Sequence, residues 1–291
     1  MEVRSMEKNK LNILNKFFSR NTFRHCYEDG YDKVYGQVIR RYVDNGVGKT
    51  NLELVSEVYN VLKDEYRNEY YYKNTLLNKL LLGVHSINTT TALTEIPIAK
   101  SKADFVLING KAVVYEIKTE LDNFDRLESQ ISDYYKAFDH VAVVTCIENV
   151  PVLQKKIEVI GKPVGIYVLQ KRGTIKTIQK PEIYRDSLDT SILFKILRKQ
   201  EYEEIVLKKY GYLPVVSAFE YYSECKKMFL EIPLEEAYLS VLKLLKKRAK
   251  IVKEDYKKIP YELKFLAYFM DLKSEDYKKI MSFLSESYGG V

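Results

Sequence analysis

Residues 91–146 read TALTEIPIAKSKADFVLINGKAVVYEIKTELDNFDRLESQISDYYKAFDHVAVVTC, and the fold is decided here. Three short segments, 91–98, 103–109 and 112–118, are rich in β-branched residues and predict strands. Asn109–Gly110 between the last two is a two-residue hairpin signal, so those strands run antiparallel. FDRLESQISDYYKAF predicts a helix over 124–138, and the almost wholly apolar HVAVVTC predicts a buried strand over 140–146. Beyond it the pattern continues with a helix near 151–160 and a strand, GIYVLQ, at 165–170. Continuous apolar strands alternating with helices indicate an α/β sheet covered on both faces.

Outward from this centre the chain is helical. On the N-terminal side the spacing predicts a short helix from Leu11 to Phe18 and then a loop. Further helices are predicted within 31–45, 51–63 and 67–83. On the C-terminal side helical spacing covers 188–200, 201–210, 217–230, 234–250 and 261–285, punctuated by Gly211, Pro214, Pro233 and Pro260. The expected organisation is a helical region over 1–66, an α/β core over 67–180 and a helical region over 181–291.

Residues two apart on a strand share a face. Glu116 and Lys118 therefore project together from VVYEIK. Counted back through the hairpin, Asp104 lies near their level on the neighbouring strand. Glu95, one strand further out, offers another carboxylate. Grouped acids beside an amine suit phosphodiester hydrolysis. Carboxylates hold Mg²⁺ or Mn²⁺, hard ions that prefer oxygen. Such an ion polarises a phosphoryl oxygen and acidifies water. The lysine orients that water or offsets developing charge. The same three residues also read as a structural salt-bridge cluster at a sheet edge, and Glu95 as a solvated strand residue.

Asp104, an eleven-residue gap and then Glu116-Ile117-Lys118 resembles the signature of the PD-(D/E)XK nuclease superfamily, with Ala103 standing where the name has Pro. The order helix, three strands, helix, strand resembles that superfamily's αβββαβ core, the restriction-endonuclease-like fold with a mixed central sheet. Gln130 and Tyr134 in QISDY resemble the QxxxY motif of its exonuclease-like branch. One helical turn separates them, so both can face one site; packing of the helix on the sheet is the plainer account. Residues 73–146, with ADFV, YEIK and QISDY, resemble a little-characterised bacterial family of this superfamily. The resemblance implies a divalent-metal-dependent nuclease, acting on DNA rather than RNA, in defence or repair. Its metal would lie on Glu95, Asp104, Glu116 and the Ile117 carbonyl. Lys118 would act on the attacking water, and Gln130 and Tyr134 would position the nucleic-acid end or the metal's surroundings. The competing expectation is a module on the same fold that binds nucleic acid or protein and cleaves nothing. A third is a regulatory subunit whose helical C-terminal region docks a protein partner or a second copy.

The rest of the sequence mostly excludes. The 291 residues carry a formal net charge of +7, compatible with a polyanionic partner but not specific to one. Cys26, Cys146 and Cys225 form no CxxC pair, and His25, His85 and His140 are scattered. Neither a zinc ribbon nor a disulfide framework is therefore indicated. No run of about 18 apolar residues occurs, and charges interrupt the N-terminal apolar runs, so a cytoplasmic protein without a membrane span is expected. Gly46-Val47-Gly48-Lys49-Thr50 invites a phosphate-loop reading, but Val43 stands where that loop needs glycine. A turn with Thr50 capping the next helix fits better. Lys243, Lys246, Lys247 and Lys250 line one face of a predicted helix and read either as a phosphate-backbone contact or as a solvated face. The tyrosine clusters at 70–72 and 134–135 read as base-stacking groups or, more simply, as packing.

Overall fold

The computed structural model describes residues 12–84, 87–249 and 251–290. They form two compact units that do not follow chain order. One takes in the described residues up to 84, the short stretch Lys171–Thr174 and those from 251 onward. The other holds 87–170 and Ile175–Ala249.

The second unit contains the sheet. Six strands, β1 (Thr91–Ile98), β2 (Ser101–Asn109), β3 (Lys111–Lys118), β4 (His140–Thr145), β5 (Gly165–Leu169) and β6 (Ile175–Gln179), lie in sequence order. β1, β2 and β3 pair antiparallel, β3, β4 and β5 parallel, and β6 closes antiparallel on β5. The sheet is thus mixed. The helix crossing from β3 to β4 is α6, numbered in chain order below, and it spans Leu127–Tyr134. A 3₁₀ turn, Ile147–Asn149, and helix α7 (Val150–Ile160) join β4 to β5. β4 is buried along its whole length, as a parallel strand covered on both faces must be. Val106, Val114, Ile131, Phe138, Val143 and Leu153 are fully buried and belong to one continuous core with Phe194, Phe229 and Leu245 of the following helices. Those helices are α8 (Thr190–Lys195), α9 (Lys199–Tyr210), α10 (Tyr221–Leu230) and α11 (Leu234–Lys246).

The first unit is all helical. Residues 12–17 form α1, followed by α2 (Arg20–Asp29), α3 (Lys33–Tyr42), α4 (Asn51–Asp64) and α5 (Glu69–Leu76), which runs on as a π-helix over Leu77–Val84. α12 (Lys253–Lys258), α13 (Lys264–Phe269) and α14 (Ser274–Ser285) complete it. Its interior is aromatic: Phe17 stacks on Tyr35 and Phe18 on Tyr70. Buried asparagines fasten its early helices to its late ones. Asn74 Nδ2 donates to the Tyr59 hydroxyl and the Tyr261 carbonyl, and its Oδ1 accepts from Phe265 N. Thr50 caps α4 through a reciprocal box with Glu53, and Lys49 pairs with Glu57 at 2.8 Å. The glycine-rich stretch before α4 is therefore a turn and a cap.

Several sequence expectations are corrected. Residues 20–29 are helix, not loop, because Ser19 caps the start and Gly30, at φ 74°, ends it. β6, IKTIQ, went unexpected; it is a half-exposed edge strand whose apolar residues alternate with polar ones. The 261–285 stretch is two helices, with Asp271 at φ 51° between them. The helix over 124–138 shortens to 127–134, since Thr119 and Asp122 hold the chain before it in a turn. The 108–112 hairpin turns on one residue rather than two: Asn109 faces Lys111, and Gly110 alone stands at the apex with φ 71°. Among the described residues no helix is long and apolar enough to cross a membrane.

Candidate functional site

The single-residue apex sets the site. It places Ile108 opposite Ala112 and Phe105 opposite Tyr115. One rung further, Asp104 stands level with Glu116. A two-residue turn would have shifted that level by one and set Asp104 against Tyr115, whose side chain is on the other face. The paired ladder stops at Phe105–Tyr115. Beyond it the Asp104 carboxylate takes over, with Oδ2 accepting from Ile117 N at 2.9 Å. A side chain thus stands in for the missing backbone partner, and β2 is tied to β3 where the acids lie.

Glu116 and Lys118 share a face, as period two requires. Lys118 Nζ lies 3.0 Å from Glu116 Oε1, with the two side chains 7% and 2% exposed. Both are clasped by α6. Gln130 Nε2 donates to Glu116 Oε1 at 2.5 Å, and Gln130 Oε1 accepts from Lys118 Nζ at 2.9 Å. One amide therefore bridges the acid and the amine, each by the end that suits its charge. One turn on, the Tyr134 hydroxyl lies 2.6 Å from Glu116 Oε2 and 2.9 Å from the Lys102 carbonyl. Burial and then the Glu116 charge push the Tyr134 hydroxyl well above its usual range. It stays protonated and can only donate to the carboxylate. Gln130 and Tyr134 thus both bond the Glu116 carboxylate.

Glu95 stands across from Asp104, and the strand pairing skips this rung: Thr94 faces Phe105 and Ile96 faces Ala103. Glu95 takes φ 57°, a left-handed conformation that costs a non-glycine residue about 1–3 kcal/mol. Its carboxylate and that of Asp104 bring an oxygen within 4.8 Å of each other. Lys102 Nζ lies 2.8 Å from Glu95 Oε2.

The residues offer oxygen donors of the kind a hard divalent cation takes, and the carboxylates that converge within 4.8 Å include Glu95 and Asp104 but not Glu116. The Asp104 and Glu116 carboxylates, with Glu95 beside Asp104, are all oxygen donors, as Mg²⁺ and Mn²⁺ prefer. Glu116 Oε1 already meets two donors and Oε2 one, which leaves roughly one acceptor position of about four on that carboxylate.

Sequence reasoning missed the support behind α6. Asp133 is buried, and its Oδ2 accepts from the Ser101 hydroxyl at 2.8 Å and from Lys100 N at 3.2 Å. Burial opposes its charge, but bonds from Lys136, Ser101 and Lys100 outweigh it and hold the carboxyl below its usual range. At the carboxyl end of β4, Thr145 Oγ1 donates to the Lys118 carbonyl at 2.7 Å and accepts from Asn149 Nδ2. Lys102, two residues before Asp104, pairs with Glu95 and was missed as well.

Other candidates separate. Tyr71, Tyr72, Tyr134 and Tyr135 are buried. On α11 the basic face is partly neutralised: Lys247 pairs with Glu204, and Arg248, the next basic residue, is held by Glu201 and the Ile196 carbonyl. Lys250 and His85 lie outside the described residues.

The sequence model of a family described as Bacteriophage P4 protein cII matches residues 62–264, more than half of the chain and every candidate site residue. The chain belongs to the Bacteriophage P4 protein cII family. Protein cII of Enterobacteria phage P4 is 25% identical over 130 residues, which cover 43% of this chain and 47% of that protein. The chain thus matches less than half the length of this cII relative. No solved structure matches.

Proposed function

We propose that this cII-family chain is a divalent-metal-dependent nuclease, with DNA preferred over RNA as substrate, on a restriction-endonuclease-like core. One observation carries the reading: Asp104 and the Glu116–Lys118 pair stand level on adjacent strands where the β2–β3 ladder ends. The order β1–β3, α6, β4 agrees with it. Asp104 and Glu116 would hold Mg²⁺ or Mn²⁺, with Glu95 and the Ile117 carbonyl. When bound, the ion supplies charge stabilisation for a phosphoryl group. Lys118, fixed by Gln130, is placed to offset charge or orient water. Tyr134 and Gln130 keep Glu116 aimed, and Asp133 holds their helix against the β1–β2 hairpin. A role in defence or repair is the accompanying biological proposal.

The near-complete burial of Glu116, with both oxygens already bonded, favours a second reading. The site would be closed in the isolated chain, which then acts as a binding or regulatory module until a partner or substrate opens it.

Calorimetry with Mg²⁺ and Mn²⁺, thermal melts and incubation with single-stranded DNA, duplex DNA and RNA separate the two. For the nuclease, cation raises the melting temperature of wild type and not of Asp104→Ala, and cleavage is lost in Glu116→Ala and Lys118→Ala. Equal melting shifts in wild type and Asp104→Ala argue against the metal site. Binding without cleavage, unchanged in these variants, supports the module.

A further inference from the structure

Lys102 lies beside the site at two points. Its backbone carbonyl lies 2.9 Å from the Tyr134 hydroxyl that also holds Glu116. Its ammonium lies 2.8 Å from Glu95 Oε2. Glu95, in turn, is bent into a left-handed conformation at the rung opposite Asp104, and their carboxylates approach within 4.8 Å. A positive charge on a flexible four-carbon arm therefore rests on the acid that would turn to an incoming cation. The pair is well exposed, at 60% and 43%, and an ion pair of that exposure is weak.

We propose that Lys102 is a phosphate-binding residue of the site: it neutralises Glu95 in the cation-free protein and passes to a nucleic-acid phosphate when a divalent cation takes Glu95. This rests on the metal-dependent nuclease reading. The physical reason is charge balance. A divalent ion replaces the ammonium as the partner of Glu95, and the released ammonium faces the polyanion that the ion attracts. Binding of cation and of nucleic acid then reinforce each other through one lysine.

The test measures binding of a fluorescein-labelled 12-nucleotide DNA, single-stranded and duplex, against NaCl concentration. It is run in EDTA and in Ca²⁺, a hard ion that shares the oxygen preference of Mg²⁺. Wild type, Lys102→Ala, Lys102→Arg and Lys111→Ala are compared; Lys111 is exposed at the opposite end of β3. In Ca²⁺ the salt slope of Lys102→Ala is expected to fall by about 0.7–0.9, one phosphate contact. Lys102→Arg and Lys111→Ala keep the wild-type slope. In EDTA all four slopes coincide. Calorimetry with Mg²⁺ is expected to show Lys102→Ala binding about two- to five-fold tighter than wild type, because the competing ammonium is gone. An unchanged slope in Ca²⁺, a slope difference that persists in EDTA, or an unchanged Mg²⁺ affinity overturns the handover. Wild type that binds no cation at all brings down the metal reading itself, and the handover with it.

Discussion

Replacing Lys118 by methionine keeps an unbranched side chain, one atom shorter, and removes its charge from beside a buried acid. At 3.0 Å the attraction between Lys118 and Glu116 is about 5–6 kcal/mol for an effective dielectric constant of about 20. Desolvation of both ions consumes much of it, so the net worth of the pair is small. The two directions of change are unequal, however. Lys118→Met leaves the Glu116 carboxyl, 2% exposed, with only Gln130 and Tyr134 as partners, and leaves the Gln130 carbonyl without the ammonium. Breaking a buried pair in this way costs about 3–5 kcal/mol. Glu116→Gln strands the ammonium and should cost about as much. The double variant Glu116→Gln/Lys118→Met buries no lone charge and is expected within about 1–2 kcal/mol of wild type. The chain has no tryptophan, so urea unfolding is best followed by circular dichroism, with the transition containing the sheet fitted separately. Mg²⁺ should restore more stability to Lys118→Met than it adds to wild type, because the ion supplies the missing charge. A single substitution that costs under about 1 kcal/mol, or a double variant as unstable as the two singles combined, refutes this electrostatic account of the site.

Gly165→Ala should destabilise the sheet by about 1–3 kcal/mol, since an added Cβ would lie 2.7 Å from both the backbone nitrogen and Cδ of Pro181; a denaturation midpoint equal to wild type would remove that contact from the argument. Asn74→Leu should cost about 2–4 kcal/mol, because Phe265 N and the Tyr261 carbonyl lose a buried partner, and hydrogen exchange at Phe265 should accelerate. Asp139 is opposed by burial, yet bonds from His140, Tyr238 and Arg185 hold its carboxyl below the ordinary 3.8. Its stabilisation is therefore complete above about pH 4 and is lost as pH falls through the depressed value. In Asp139→Asn the acid limb of a stability–pH curve should flatten below pH 4, and an unchanged limb would show that other carboxylates govern it.

Much of the sheet was readable along the chain. The alternation in VVYEIK and the apolar run HVAVVT belong to single strands, and the hairpin signal at Asn109–Gly110 correctly joined β2 to β3. The exact apex was not readable, because Asn–Gly serves a one- or a two-residue reversal, and the choice depends on how β2 meets β3. β6 was missed because its only apolar face is half-exposed on an edge. Gln130 and Tyr134 were found by their helical spacing. Their partners were not, since a side chain on α6 can point at the acid, the amine or bulk water with the same spacing.

By itself the sequence determined which residues share a face and which segments become strands, because the periods of two and 3.6 are properties of the local backbone. It therefore put Glu116 beside Lys118, and Gln130 one turn from Tyr134. Only the tertiary structure decided that one glutamine amide spans acid and amine, that the tyrosine hydroxyl seals the other carboxylate oxygen, that Asp133 locks α6 to Ser101, and that Glu95 bends out of the ladder to meet Lys102. Those pairings depend on how a helix packs over a sheet to within a few tenths of an ångström. That distance is set by the sum of all core contacts and is written in no single stretch of the chain.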